Sequence, residues 1–286
     1  MRNLANSLHR FSQSLSAKTK SVSFNWSVLF LLTVGLTAGL TEKVQAERPE
    51  SAPPQLKDTL TQIDAAANRQ DLQSVMQFYG ESFKNSDGLT RTLLEQTLRQ
   101  LWERYPQLTY RTELQDWKTE GNAIVAETVT TVTGTQANDG TNVKLESTLR
   151  SRQRFENQKI VQQEILDERT QITSGPNPPT VEVQLPEEVR VGQSFNFDVI
   201  VQEPLGDNIL LGAALEEPIK PELYSQPTNF ELELLSAGGI FKLGKAPLQE
   251  EDRWISAVLV RGDGITIVTE RLNIVIRPSA SSGSSN

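Results

Sequence analysis

The chain has 286 residues, 37% of them apolar and 22% charged, a balance that lets most of its length bury a core. It has no cysteine, which excludes disulfides, zinc–thiolate sites, iron–sulfur clusters and cysteine nucleophiles. The one histidine is His9, and the formal net charge is −8. If residues 1–46 are removed, no imidazole remains, which excludes a Ser-His-Asp triad, a histidine base and histidine metal ligands.

Residues 1–20 carry Arg2, Arg10, Lys18 and Lys20 and no acid. An uncharged stretch, Ser21 to Thr41, follows, and Val44-Gln45-Ala46 matches the small-residue pattern before a signal-peptidase cut. Residues 1–46 therefore read as a signal peptide cleaved after Ala46, and the protein as exported to the periplasm or beyond. The competing reading is an uncleaved anchor, since about 20 uncharged residues just span a bilayer; only then would the membrane be a partner. After Ala46 there are 23 Lys and Arg against 35 Asp and Glu, a charge of −12. A nucleic-acid partner is not expected, because phosphate neutralisation needs a basic face.

"ERPESAPPQ", residues 47–55, is a Pro-rich linker, and "SGPNPP", residues 174–179, is a second break, since clustered prolines neither continue a helix nor pair inside a sheet. The final "SASSGSSN", 279–286, reads as a disordered tail. The breaks leave a segment of 56–173 and one of 180–278.

In the first segment Leu56, Leu60, Ile63 and Ala67 fall at helical spacing. Asp71 is placed to N-cap a second short helix carrying Leu72, Val75, Met76 and Tyr79 on one face. "SDG" at 86–88 predicts a turn, and Thr90 to Tyr105 a third helix ended by Pro106. Four strands follow, divided by turns at "GN" 121–122, "NDGTN" and "NQ" 157–158.

This order resembles the nuclear-transport-factor-2-like superfamily, also called SnoaL-like. The likeness is carried by "NRQDLQSVMQFYGESF", by "SDGLTRTLLEQTLRQLWERYPQ" and by the run of long strands ending near Thr173. It covers about 120 residues. It implies an α+β cone, with three helices on a curved antiparallel sheet around a conical cavity. Members of that family include isomerases and cyclases, and others that bind ligands, dimerise or assist assembly. A His–Asp pair is unavailable here, while an isomerase-like or cyclase-like use of carboxylate and tyrosine stays open.

Tyr79, Phe83, Trp102, Tyr110 and Trp117 are the candidates to line such a cone as an apolar pocket with a phenol handle. The same five also suit plain core packing, the commoner use of aromatics at helical spacing. Asp87 is a pocket acid or a turn residue, and Glu127 and Asp167 lie on strands where one could face a cavity. Arg150, Arg152 and Arg154 alternate and share one strand face. They form either an anion site or ion pairs with Glu164, Asp167 and Glu168 of the next strand.

From Thr180 onward about seven short strands in roughly 100 residues fit a β-sandwich. "VRVGQSFNFDVIV" resembles the opening of bacterial immunoglobulin-like domains. From Pro176 on, 16 acids face 8 bases. "RGDG", 261–264, reads as a hairpin turn rather than an adhesion signal, and the acidic "QEED" 249–252 and "LEEP" 215–218 as solvated loops.

The expectation is thus α+β: an N-terminal cone plus a C-terminal all-β immunoglobulin-like sandwich. It describes an exported, non-enzymatic bacterial binding or assembly protein without catalytic residues, cofactor or metal. Its partner is an apolar small molecule or another envelope protein, and a homodimer through the sheet is compatible. The alternative is an enzyme using carboxylate and tyrosine.

Overall fold

A computed structural model describes residues 46–276 except 139–140, 205, 207–208, 226–228 and 237. The proposed leader up to residue 45 and the tail 279–286 lie outside the described residues. Those described belong to one compact unit.

Helix α1, Pro54–Asn68, starts on proline, whose fixed φ suits a first turn, and packs Leu56 and Leu60 inward. Helix α2, Leu72–Met76, is capped by Asp71, whose side chain accepts from the Ser74 amide at 3.0 Å. Strand β1, Tyr79–Asn85, follows, and Thr90 caps α3, Arg91–Arg104. Four long strands come next: β2 Leu108–Glu120, β3 Ala123–Asn138, β4 Thr141–Glu156 and β5 Lys159–Ser174. The β4–β5 turn is two residues long, with Asn157 and Gln158 both at positive φ (50° and 61°), the handedness that matches strand twist.

Beyond the prolines lie β6 Val181–Gln184, β7 Glu188–Arg190, β8 Ser194–Val201, β9 Leu211–Pro218, β10 Glu233–Leu234, β11 Gly239–Lys245, β12 Arg253–Arg261 and β13 Gly264–Val275. A 3-10 helix, Pro221–Ser225, lies between β9 and β10. Gly262 and Asp263 form the turn of the β12–β13 hairpin.

The large sheet has ten strands in the order β10-β9-β12-β13-β5-β4-β3-β2, with β1 added to β5 and β7 to β13. A second sheet, β11-β8-β6, packs its apolar face (Phe195, Phe197, Val199, Ile240) against Ala257, Leu259, Val268 and Leu272 of β12 and β13. No helix of the described residues is long and apolar enough to cross a membrane.

This corrects the expected α+β layout. No N-terminal three-helix cone with a separate immunoglobulin-like sandwich is formed; the chain is mostly β. The physical reason is β13. It pairs antiparallel with β12 on one side, while Ile265 to Glu270 pair with Ser174 to Arg169 of β5 on the other. Twelve residues long, β13 has an edge to spare, and β5 extends to meet it, so one sheet runs through both halves.

The Pro-rich stretch is stitched to the hairpin. The Asn177 amide donates to the Asp263 carbonyl (3.0 Å), and Thr266 Oγ1 donates to the Pro179 carbonyl (2.6 Å). Gly175 has φ +96°, and a Cβ there would lie 2.7 Å from the Asp263 carbonyl oxygen. Gly175→Ala is therefore expected to lower unfolding free energy by roughly 1–3 kcal/mol, read by urea denaturation.

Candidate functional site

The five aromatic candidates are placed in two packed clusters. Phe83 and Trp117 lie with Leu56, Leu60, Phe155 and Ile160 beneath α1. Trp102 lies with Ala66, Val75, Leu108 and Leu145, and Tyr110 packs against that group. Tyr79 touches both clusters and meets Phe83 edge-on at 4.9 Å. Trp102 Nε1 donates to Tyr110 Oη (2.8 Å), and Trp117 Nε1 donates to the Arg48 carbonyl (3.2 Å). Burial pushes the Tyr79 and Tyr110 phenols up to about 12.

A cavity of about 290 Å³ opens beside these clusters, between α3 and the face of β3, β4 and β5. None of the five candidates lines it. Leu101, Val132 and Leu145 make its apolar wall. Ser147 and Thr170 line it with hydroxyls bonded to each other at 2.8 Å. Thr97 and Arg104 border it from α3, and Glu168 and Tyr224 form its polar end. Tyr224 comes from the 3-10 helix beyond β9, so the second half of the chain helps to wall a cavity of the first.

Behind that end lies a buried polar network. The Arg271 side chain is 0% exposed, and Asp87 4%. Arg271 Nη2 lies 2.6 Å from Asp87 Oδ2 and 4.0 Å from Glu168 Oε2, and Nη1 lies 2.9 Å from Asp252 Oδ2. The Tyr224 hydroxyl donates to Asp87 Oδ2, and Trp254 Nε1 donates to Glu168 Oε2 (3.0 Å). The Tyr224 and Trp254 rings meet edge-on at 4.9 Å.

Burial holds the Glu168 carboxyl above the usual carboxylate range. The Trp254 hydrogen bond and Arg271 oppose that, and the charges of Asp87 and Asp167 add to it. Burial also raises the Tyr224 phenol, helped by Glu168 and Asp87, so it stays a neutral donor. Burial is the largest single influence and works against the Arg271 cation, but Asp87, Glu168 and Tyr224 together outweigh it and keep the guanidinium charged.

Asp87 sits in a turn, as the sequence predicts, and is also an anchor of this network. Glu127 pairs with Arg150 (3.2 Å) and Arg152 (3.5 Å) on the opposite face. Arg152 also pairs with Glu164 (2.7 Å), and Arg154 with Glu120 and Glu156. The alternating arginines are thus ion-paired, but of the partners expected on the next strand only Glu164 is engaged; Glu127, Glu120 and Glu156 take the other places, and Glu168 is turned to the cavity. Asp252, within the acidic "QEED" stretch, is not merely solvated but binds Arg271. Tyr224, Trp254 and Arg271 carried no sequence signal, because each lies on an element whose facing partner is distant in the chain. Among the described residues no cluster of His, Cys, Asp and Glu is arranged to hold a metal ion.

A family profile described as a domain of unknown function (DUF8623) matches residues 176–275. No curated protein matches the chain. Similar solved structures include Bd1075 of Bdellovibrio bacteriovorus, at 17% identity and TM-score 0.28 over 38% of this chain and 39% of that one. An IdmH variant with its 96–104 loop truncated is similar at 15% identity and TM-score 0.29, over 38% of this chain and 90% of that one. An M. tuberculosis LEH-like epoxide hydrolase is similar at 9% identity and TM-score 0.28, over 39% and 80%. The chain thus spans well under half the length of Bd1075, and all three likenesses are weak.

Arg271→Met should cost about 3–5 kcal/mol in chemical denaturation, because it leaves the buried Asp87 uncompensated. Glu168 has its folded pKa raised, so the folded state binds more protons and stability falls as pH rises above the ordinary carboxylate value. Glu168→Gln removes that penalty. Its melting temperature relative to the parent should climb between pH 4 and pH 8; a difference that stays flat would contradict the assignment.

Proposed function

We propose that this chain is an exported binding protein of the bacterial cell envelope that holds a small, largely apolar molecule in the cavity between α3 and β3–β5. The observation that carries the proposal is the cavity itself. It has an apolar wall, a carboxylate and a phenol at one end, and a volume of about 290 Å³, at the lower limit of small-molecule sites. Export is supported by the basic start, uncharged middle and Val-Gln-Ala ending of residues 1–46.

A second reading, an isomerase-like or cyclase-like enzyme with Glu168 moving the proton, is favoured by the raised carboxyl in the same cavity as a tyrosine. Against it, the Tyr224 hydroxyl is already given to Asp87, so a substrate oxygen would have no free phenol donor at that end.

Thr97 is half-buried on α3 and borders the cavity. Thr97→Phe fills the space without removing core atoms. With indole as probe, saturation-transfer NMR should show binding to the parent and at least a fivefold loss in Thr97→Phe, at unchanged circular dichroism. Equal binding by both proteins would place indole elsewhere and remove the cavity as the site. Mass spectrometry of protein recovered from the periplasm should find an N-terminus at Glu47.

A further inference from the structure

The charges at the polar end of the cavity do not balance. One cation, Arg271, faces three carboxylates. It is engaged closely by Asp87 at 2.6 Å and Asp252 at 2.9 Å, and it stands off from Glu168 at 4.0 Å. The third carboxylate is the one that reaches the cavity. Its Oε2 accepts from Trp254, and Oε1 receives no hydrogen bond among the described residues. The Glu168 side chain is 21% exposed, so it is largely removed from water yet open to an occupant of the cavity. Arg104, the other cation lining the cavity, lies on the opposite, α3 side and makes no ion pair with Glu168.

A desolvated carboxylate with one free oxygen and too little compensating charge is a site for a cation that also donates hydrogen bonds. We infer that the cavity takes a small primary amine, with its ammonium against Glu168 Oε1 and its apolar body against Leu101, Val132 and Leu145. The inference rests on the cavity being the binding site, and adds to that the chemical class of the occupant. A quaternary ammonium would satisfy the charge but offer no N–H to Oε1. An alcohol would offer one donor and no charge. An acid would meet Asp87, Asp252 and Glu168 as like charges.

The test uses the full chain and three isosteres: 2-phenylethylamine, 2-phenylethanol and phenylacetate, measured by isothermal titration calorimetry at neutral pH. The amine is expected to bind at least roughly tenfold more tightly than either of the others, since a charge-assisted hydrogen bond in a desolvated site is worth that much. Glu168→Gln keeps the shape and the acceptor for Trp254 and removes the charge. It should lose that preference while binding 2-phenylethanol within about twofold of the parent. If the alcohol or the acid binds as tightly as the amine, and Thr97→Phe abolishes that binding, the amine assignment is overturned while the cavity stands as the binding site. Preference for phenylacetate would move the anchor to Arg104. If none of the three binds while indole does, the amine assignment falls and the cavity stands; if indole fails as well, both fall.

Discussion

A buried guanidinium holds this molecule together. Taking Arg271 out of water costs several kcal/mol, and the cost is offset only because carboxylates and their hydrogen bonds surround it. Those carboxylates come from widely separated places. Asp87 follows β1 near the start of the fold, Asp252 precedes β12, and Glu168 lies on β5. Arg271 and Asp87 are 184 residues apart. A contact of that span forms only when both halves of the chain are in place, and removing one partner leaves the other stranded. Breaking the network by removing one partner is therefore costlier than the net contribution of the intact network to stability.

The sheet makes the same connection by other means. β13 carries β12 on one edge and β5 on the other, and β5 in turn carries β4 and, in parallel, β1. The two halves thus share backbone hydrogen bonds as well as a buried ion network. The cavity depends on this joining. Its apolar wall belongs to α3, β3 and β4, while Tyr224 arrives from beyond β9 and is fixed by Asp87 and Trp254. Without the second half, that end of the cavity would open to water and Glu168 would be solvated, losing the feature that makes it chemically distinct.

Much of the local structure was legible in the sequence, because it is written in short-range chemistry. Asp71 and Thr90 cap helices where their side chains suit that position. The "NQ" turn and the "GDG" hairpin tip fall where small polar residues interrupt alternating strands. Strand β1 was not legible. Tyr79 follows α2 closely enough to read as a continuation of its apolar face. Its strand conformation comes from parallel pairing with Ile160, a partner 81 residues away. The union of the two sheet halves was hidden for a similar reason. Three prolines between β5 and β6 signal a break in local structure, and nothing in them tells that β5 and β13 pair across it. Of the site, Asp87 stood out as a candidate, but Glu168 read as one more acid opposite a row of arginines. Arg271 sits on the face of β13 away from the main core, where strand alternation alone predicts solvent.

The ion network and the β5–β13 seam join the two halves into one cooperative unit around the cavity. Native-state hydrogen exchange tests it most directly, by comparing the opening free energies of amides in β3 and β4 with those in β12 and β13. The most protected amides of both groups should share one opening free energy and one denaturant dependence. Amides of β12 and β13 exchanging through an opening that leaves β3 and β4 protected, or the reverse, would show two independent units and contradict it.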